Sequence, residues 1–297
     1  MRVVRKVAEL REALMPSRRD GRRIGLVPTM GALHEGHLSL IRRAREDCDK
    51  VVVSLFVNPA QFNEHSDLDR YPRDEDRDRE LAAAAGADVL FAPPVEEVYP
   101  TGFATSVEVL GVSERLEGAA RGPEHFRGVT TVVAKLLGMA QPDVAYFGQK
   151  DAQQVVVIRR LVADLDMPVE IVALPTVREP DGLAMSSRNK MLSSEDRIRA
   201  RRLSAAIEAA ATLAADGEHS ASALLAAGRE VLDVEGVGLD YLALVDPDTL
   251  EPVERLDGRA LLAVAARVGG VRLIDNATLE PAGSENPRGK AIQTCSA

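Results

Sequence analysis

Two histidines close together in the chain are the side chains best placed for chemistry. His34 and His37 lie in a segment, residues 29–37, that directly follows an apolar run. If a helix begins near Gly36, both imidazoles lie on one face of it. A helix N-terminus offers free N–H groups and a partial positive charge, which suit a phosphate. The segment therefore favours a nucleotide phosphate site, with a zinc site or two surface histidines as the alternatives.

A second polar cluster, residues 148–151, also follows an apolar run. Lys150 is a mobile cation suited to the phosphates of ATP, and Asp151 could hold ribose hydroxyls or cap a helix. Gln154 lies one helical turn after Lys150 and points toward the same cavity. Its neighbour Gln153 is expected to face elsewhere, as a surface glutamine. An ordinary capped helix with an exposed lysine is the alternative for this cluster.

Two amide side chains follow the clearest apolar run, residues 51–57. Gln61 both donates and accepts hydrogen bonds, which suits a substrate that carries hydroxyls, and Asn58 could contribute to the same pocket. A third polar segment, residues 185–188, offers two serine hydroxyls and a cationic fork at Arg188. An ordinary interdomain loop is the alternative there. Arg121 and Arg127 flank a predicted glycine-rich loop, residues 118–128, and are weaker candidates for the phosphates.

The elements that position these residues alternate between strand and helix. Alternating strands and helices predict a parallel sheet with helices on both faces, which is an α/β, Rossmann-like fold. In such a sheet, ligands bind in the loops at the carboxyl ends of the strands. The predicted strands are residues 24–27, 51–57, 88–91, 144–147 and 169–174, and the predicted helices are residues 36–48, 74–85, 128–140 and 152–165. A helix up to residue 14 and a turn at residues 16–22 are predicted to precede them.

The regular alternation of strands and helices ends after Pro175, and this change predicts a second, smaller domain. A Gly/Ser/Arg loop, residues 179–189, comes first, and an α+β pattern follows it. We predict a nucleotide- and substrate-binding domain at residues 1–176, a lid domain at residues 177–281 and a disordered tail at residues 282–297. The predicted elements of the lid domain are helices at 194–215 and 220–232 and strands at 239–245, 260–268 and 271–274.

The composition predicts a soluble protein in a reducing, cytoplasmic setting. A net charge of −9 disfavours general nucleic-acid binding, because that binding needs many cationic contacts to phosphates. Two cysteines, Cys48 and Cys295, make no disulfide framework in 297 residues. The chain has no apolar stretch that could span a membrane, and its start is unlike a signal peptide. The acidic run at residues 74–78 could help to place magnesium, but we predict a solvated helix face.

Several motifs in register resemble a known family. His34-Glu35-Gly36-His37 is similar to the His-x-Gly-His signature of the nucleotidylyltransferase superfamily, and residues 185–189 fit its second signature, a mobile loop of the Lys-Met-Ser-Lys-Ser kind. The wider context closely resembles the pantothenate synthetase (pantoate–β-alanine ligase) family. The motifs that carry this resemblance are VPTMGALHEGH (27–37), FVNPAQF (56–62), YPR (71–73), FGQKD (147–151) and GLAMSSRN (182–189).

The resemblance implies a reaction and a set of site residues. It implies ATP-dependent condensation of (R)-pantoate with β-alanine through a pantoyl adenylate, with Mg²⁺ carried by ATP, no protein metal ligand, and a homodimer. Gln61 and Gln154 would bind pantoate, and Gln61 also β-alanine. The implied catalytic residues are His37, His34, Lys150 and Arg188. The implied ATP-binding residues are Met30, Gly31, Ala32, Leu33, His34, Glu35, Gly36, His37, Gly148, Gln149, Lys150, Asp151, Val177, Met185, Ser186, Ser187 and Arg188.

Two rival functions use the same residues differently. A nucleotidyltransferase that stops after transfer of AMP or CMP to an acceptor would need the phosphate machinery but no amine. An RNA-binding or regulatory module would keep a nucleotide pocket without turnover. The acidic net charge argues against RNA, and the full set of polar phosphate-binding residues argues against an inert pocket.

Overall fold

Six parallel strands form the central sheet of the first 176 residues. The computed structural model describes residues 1–62 and 65–282, with the backbone alone at residues 65–67. The strands run in the order β1-β4-β3-β2-β5-β6. All of their pairings are parallel. The strands are β1 (Arg2–Val4), β2 (Ile24–Thr29), β3 (Lys50–Leu55), β4 (Val89–Phe91), β5 (Val144–Gly148) and β6 (Glu170–Leu174).

Helices cover both faces of this sheet, as the sequence predicts. Val51 and Val53 pack into one hydrophobic cluster and Val52 into the other, because successive side chains of a strand point to opposite faces. A strand buried on both faces therefore reads as a continuous apolar run. The helices are α1 (Val7–Arg19), α2 (Glu35–Asp47), α3 (His65–Arg70), α4 (Glu75–Ala84), α5 (Val95–Val98), α6 (Leu116–Arg121), α7 (Pro123–Ala140) and α8 (Ala152–Asp164).

The strand order changes direction at β2. Strand β2 pairs with β3 on one side and with β5 on the other. In open parallel sheets, such a switch leaves a crevice at the carboxyl ends of the two neighbouring strands, and ligands bind there. The segments that follow β2, β3 and β5 are three of the four polar segments predicted to carry chemistry. The topology thus brings residues 29–37, 58–61 and 148–151 to one edge of the sheet.

The N-terminal prediction is wrong in two respects. Arg2–Val4 is a strand rather than part of a helix, because it pairs with Val89–Phe91 and extends the sheet. Helix α1 also runs through Pro16, where we predicted a turn. Its buried residues Leu10, Leu14 and Ser17 continue one helical stripe past the proline, and burial of that stripe outweighs the hydrogen bond that proline cannot donate.

The chain divides into two compact units, and the second begins at Val177. It holds a three-stranded antiparallel sheet in the order β7-β8-β9 and one hydrophobic core. The single predicted helix at residues 194–215 is instead two helices that meet at Arg201. Strand β9 is longer than predicted. The elements are α9 (Ser194–Ala200), α10 (Arg202–Ala215), α11 (Ala221–Leu232), β7 (Val237–Val245), β8 (Ala260–Val268) and β9 (Val271–Leu279).

Two remaining expectations concern the chain as a whole. Residues 283–297, nearly all of the predicted tail, lie outside the described residues. In the part of the chain that the structure describes, no helix has the length and apolar character needed to cross a membrane.

Candidate active site

The segment after β2 turns sharply before α2 begins. Gly31 and Ala32 both have positive φ angles, 89° and 51°. The Thr29 hydroxyl donates to the Ser54 carbonyl at 2.8 Å, which ties the start of the turn to β3. The backbone N–H groups of Ala32 and Leu33 donate to the carboxylate of Asp78 on α4, at 2.8 and 2.7 Å. Helix α2 then starts at Glu35, one residue before the predicted start, with His34 as its N-cap.

The two histidines of this segment lie against each other. Their ring centroids are 4.1 Å apart and the rings are tilted by 32°. The backbone N–H of His34 donates to Nδ1 of His37 at 3.4 Å. Burial lowers the pKa of the His37 imidazole from 6.5 to about 3, with the His34 ring acting in the same direction. His37 is therefore neutral at pH 7, and because Nδ1 accepts, its proton is assigned to Nε2.

Lys150 and Asp151 belong to the same site as the histidines. They lie in a short 3₁₀ helix, Gln149–Asp151, between β5 and α8. Lys150 Nζ is 3.5 Å from Asp151 Oδ1. Both charges act on the pKa of His37, which Asp151 raises and Lys150 lowers. The neighbouring strands β2 and β5 thus bring an imidazole pair and a lysine to one crevice.

Asn58 fixes the side chain of Gln61. Asn58 is only 1% exposed, and its Nδ2 donates to Gln61 Oε1 at 3.0 Å and to the Gly128 carbonyl at 3.1 Å. The Tyr99 hydroxyl donates to Asn58 Oδ1 at 2.7 Å. On its other side, Gln61 Nε2 lies 3.1 Å from the sulfur of Met30. Gln61 is therefore held beside the turn that carries the histidines.

The two adjacent glutamines of α8 have different surroundings. Gln154 is half-buried, one turn beyond Lys150. Gln153 is 5% exposed, so the predicted surface position is wrong. Its Oε1 accepts from the N–H of Glu117, and its Nε2 donates to the carbonyls of Val112 and Arg115. Gln153 is buried because it supplies hydrogen bonds to backbone groups at the start of α6 and just before it.

The predicted glycine-rich loop at residues 118–128 is mostly helical. Helices α6 and α7 meet at Gly122. Gly118 and Gly128 serve close packing, because a Cβ atom on Gly128 would lie 2.1 Å from the Ala60 carbonyl oxygen. Arg121 contacts His125 Nε2 at 3.1 Å, and His125 Nδ1 contacts the Gln61 carbonyl at 2.9 Å.

Arg127 and Arg121 therefore differ in their surroundings. Arg127 pairs with Glu124 at 3.2 Å in an exposed ion pair on α7. His125, by contrast, is 8% exposed, and burial lowers its pKa to about 4. Arg121 is thus linked through a buried neutral imidazole to the backbone of Gln61, whereas Arg127 is a surface residue of the helix.

The polar segment of the second unit is held by a network of its own. The Ser186 side chain caps a 3₁₀ helix, Ser187–Met191, by accepting from the N–H of Arg188 at 3.3 Å. Asn189 donates to Glu179 at 2.6 Å and to the Ala184 carbonyl at 3.0 Å. The N–H of Met185 donates to the carbonyl of Val177 at 3.0 Å. The segment is thus folded back on residues 177–184, a hairpin closed by an antiparallel bridge between Arg178 and Ala184.

Comparison with known proteins decides the family. The family model for pantoate-β-alanine ligase matches residues 2–278. The chain belongs to the pantoate-β-alanine ligase family. A pantothenate synthetase from Moorella thermoacetica is 54% identical over 281 residues, which is 94% of this chain and 99% of that relative. One from Cereibacter sphaeroides is 56% identical over 274 residues, 92% of this chain and 98% of the relative.

Solved structures agree with this membership of the pantoate-β-alanine ligase family. A pantothenate synthetase from Thermus thermophilus superposes with a TM-score of 0.90 at 51% identity, covering 95% of this chain and 100% of that one. A pantoate-β-alanine ligase from Francisella tularensis, complexed with β-γ ATP and β-alanine, has a TM-score of 0.76 at 36% identity and covers 93% and 97%. The predicted family, fold class and enzyme class, a ligase that forms a C–N bond, are confirmed.

Four residues of this pantoate-β-alanine ligase site escaped the sequence analysis. Asp78, which we placed on a solvated face, is 1% exposed and holds the turn after β2. Tyr99, His125 and Gln153 contact or support residues far away in the sequence. Only Asp78 has a sequence signal that could have been found. It lies four residues before Ala82, so the two share the buried face of α4.

Proposed function

We propose that this chain condenses (R)-pantoate with β-alanine and consumes ATP, which becomes AMP and pyrophosphate. The observation that carries the proposal is the meeting of the His34–His37 pair with Lys150 and Asp151 at the switch point of the sheet. An imidazole pair and a lysine suit the phosphates of ATP. The amide of Gln61 beside them suits an acid that carries hydroxyl groups.

The reaction has two steps. A carboxylate oxygen of pantoate attacks the α-phosphorus of ATP, and the bond to the bridging oxygen breaks with its electron pair going to pyrophosphate. The amine of β-alanine then attacks the carbonyl carbon of pantoyl adenylate. The C–O bond to AMP breaks, AMP leaves with that pair, and the nitrogen loses a proton. The protein mainly positions the reactants and balances charge, because the adenylate supplies the leaving group.

His37 has the protonation state that the first step needs. As a neutral ring with its proton on Nε2, it donates a hydrogen bond to a phosphate oxygen without a change in protonation. Such a donor is most effective where negative charge grows at the α-phosphate. His34 assists from the stacked position, and Lys150 supplies a positive charge.

The remaining members of the first unit bind the substrates. Met30, Gly31, Ala32 and Leu33 shape the ATP pocket, while the first N–H groups of α2, at Glu35 and Gly36, have no carbonyl partner within the helix and can face phosphate. Gly148, Gln149 and Asp151 contact the nucleotide. Gln61 and Gln154 bind pantoate, and Gln61 also binds β-alanine.

Some parts of the proposal rest on the family signature alone. These are the contacts of Val177, Met185, Ser186, Ser187 and Arg188 with ATP, made as the second unit acts as a lid over the pocket of residues 1–176. Closure would shield the adenylate from water. We further propose that Mg²⁺ enters as the MgATP substrate, that the enzyme is a homodimer, and that it works in the cytoplasm.

The experiment that tests the function is ATP–pyrophosphate exchange, with and without pantoate, followed by addition of β-alanine. We expect exchange that depends on pantoate, and then AMP and pantothenate in equal amounts. Exchange without any product after β-alanine would instead indicate a nucleotidyltransferase that stops at the adenylate. A protein that binds ATP but shows no exchange would contradict the proposed acid substrate.

A further inference from the structure

One carboxylate on helix α4 is buried, on the same side of the helix as the buried Ala82. Asp78 on α4 is 1% exposed, whereas the side chain of Asp76 on the same helix is 84% exposed. A buried carboxylate is stable only where hydrogen bonds replace the water that it has lost. Both oxygens of Asp78 are used in this way: Oδ2 accepts from the N–H of Ala32 at 2.8 Å, and Oδ1 accepts from the N–H of Leu33 at 2.7 Å.

The backbone that Asp78 holds is strained. Gly31 and Ala32 have φ angles of 89° and 51°, and Ala32 is not a glycine. An L-residue in this left-handed region costs energy, and it persists only where the surroundings determine it. The Asp78 carboxylate holds the backbone in this conformation, because it binds the N–H of Ala32 and the N–H of Leu33.

Helix α4 binds both backbone polar groups of Leu33. While Asp78 accepts from the N–H of Leu33, the guanidinium of Arg77 donates to the carbonyl of Leu33 at 3.3 Å. Leu33 is fully buried, and the next residue is His34, the N-cap of α2. The position at which α2 starts, and with it the placement of the stacked histidines, is therefore set from α4.

We propose that Asp78 is a positioning residue for adenylate formation, acting through His34 and His37 without contacting substrate. The proposal rests on the function proposed above. It predicts that loosening this carboxylate moves the histidines and slows the first step, while the binding of pantoate beside Gln61 is preserved.

The test compares Asp78→Asn with Asp76→Asn, its exposed neighbour on α4. Asparagine keeps one acceptor but turns an NH₂ group toward the second N–H. We expect kcat for pantoate-dependent pyrophosphate exchange to fall about 10–100-fold in Asp78→Asn, the range for loss of a hydrogen bond to a charged group, with KM for pantoate within about threefold. Asp76→Asn should match the wild type. An unchanged kcat in Asp78→Asn would overturn the proposal.

A double-mutant cycle separates positioning from general damage to the fold. In a background with both His34→Ala and His37→Ala, Asp78→Asn should lower the remaining exchange by less than about threefold, because both groups through which it acts are gone. A loss as large as in the wild-type background would show that Asp78 acts by another route and would overturn the proposal. If Asp78→Asn does not fold, Arg77→Gln replaces it, with an expected fall of about threefold in kcat.

Histidine resonances give a readout that does not depend on the reaction. With ¹⁵N-labelled histidine in the full chain, the imidazole signals of His34 and His37 should shift in Asp78→Asn and stay in place in Asp76→Asn. Unmoved signals in Asp78→Asn would overturn the positioning role even if activity fell. Absence of exchange in the wild type would instead contradict the proposed function, and the resonances would still decide the role of Asp78.

Discussion

Asn58 determines which end of the Gln61 amide is left for a ligand. Its Nδ2 donates to Gln61 Oε1 at 3.0 Å, and its own Oδ1 is already engaged by the Tyr99 hydroxyl at 2.7 Å. The Gln61 orientation is assigned from this network. Gln61 Nε2 then faces the sulfur of Met30, a weak acceptor, so its N–H groups remain available to a stronger one. In the proposed pantoate site, Gln61 thus offers a donor.

The first prediction concerns a substitution that should reverse the orientation of the Gln61 amide. In Asn58→Asp, a carboxylate oxygen would replace the Nδ2 that now lies 3.0 Å from Gln61 Oε1 and 3.1 Å from the Gly128 carbonyl. Repulsion between acceptors should turn the Gln61 amide over, and KM for pantoate should rise about 10–100-fold. Initial rates at varied pantoate and fixed ATP measure the effect.

The control for this prediction is Tyr99→Phe. It removes only the hydroxyl that supports Asn58 and leaves both Nδ2 contacts in place, so KM for pantoate should rise less than about fivefold, the range for one neutral hydrogen bond of about 1 kcal/mol. Equal effects of the two variants would contradict the idea that Asn58 orients Gln61.

The second prediction concerns the pH dependence of adenylate formation. Burial holds the pKa of His37 at about 3, below the usual 6.5, so the ring is already neutral at pH 5 and does not change charge between pH 5 and 8. The profile of kcat/KM for ATP, which reports the free enzyme, should therefore show no inflection from His37 near pH 6.5. His37→Ala should lower kcat about 100–1,000-fold, as for removal of one transition-state donor, without altering the shape of the profile. An inflection near 6.5 that disappears in His37→Ala would show that the ring titrates there.

Much of the fold was predictable because parallel strands are buried on both faces. Val51, Val52 and Val53 form an unbroken apolar run for that reason, and polar residues follow it where the strand ends. The three-residue strand β1 was not predictable, since it exists only through pairing with β4. Local pattern has no access to a partner that lies so far along the chain.

The candidate site was predictable where polar residues directly follow strands and hidden where they bind one another. His34, His37 and Lys150 lie in the segments that follow strands β2 and β5, which is a local signal. His125 and Gln153 are polar residues inside apolar helices, and their partners are backbone atoms of distant segments. Such buried polar contacts follow from the packing of the elements, which local sequence does not specify.

The third prediction tests the ion pair that holds the hairpin before Met185. Arg178 donates to both oxygens of Asp275 at 2.7 and 3.0 Å and to the Gly182 carbonyl at 3.0 Å. The Asp275 side chain is 2% exposed, so Asp275→Asn leaves the guanidinium facing a neutral group. We expect the free energy of unfolding of the second unit to fall by about 2–3 kcal/mol. Urea unfolding of the full chain gives the value.

A surface pair in the same unit provides the control. Arg255 and Asp257 are 3.4 Å apart, with side chains 62% and 71% exposed. Asp257→Asn should change the free energy of unfolding by less than about 0.5 kcal/mol, because water screens such pairs. An equal loss of unfolding free energy in Asp275→Asn and Asp257→Asn would mean that burial does not strengthen the Arg178–Asp275 pair.

The last prediction separates two glycines of helix α7. A Cβ atom on Gly128 would lie 2.1 Å from the Ala60 carbonyl oxygen and 2.8 Å from the Gln61 nitrogen, whereas one on Gly138 would meet nothing within 4 Å. Gly128→Ala must therefore displace the segment that carries Gln61. It should destabilise the protein by about 1–3 kcal/mol and raise KM for pantoate. Gly138→Ala should be neutral or stabilising by up to about 1 kcal/mol, since alanine favours a helix. Thermal unfolding and pantoate kinetics measured on both variants decide the matter, and equal behaviour of the two would contradict the close contact between α7 and the Gln61 segment.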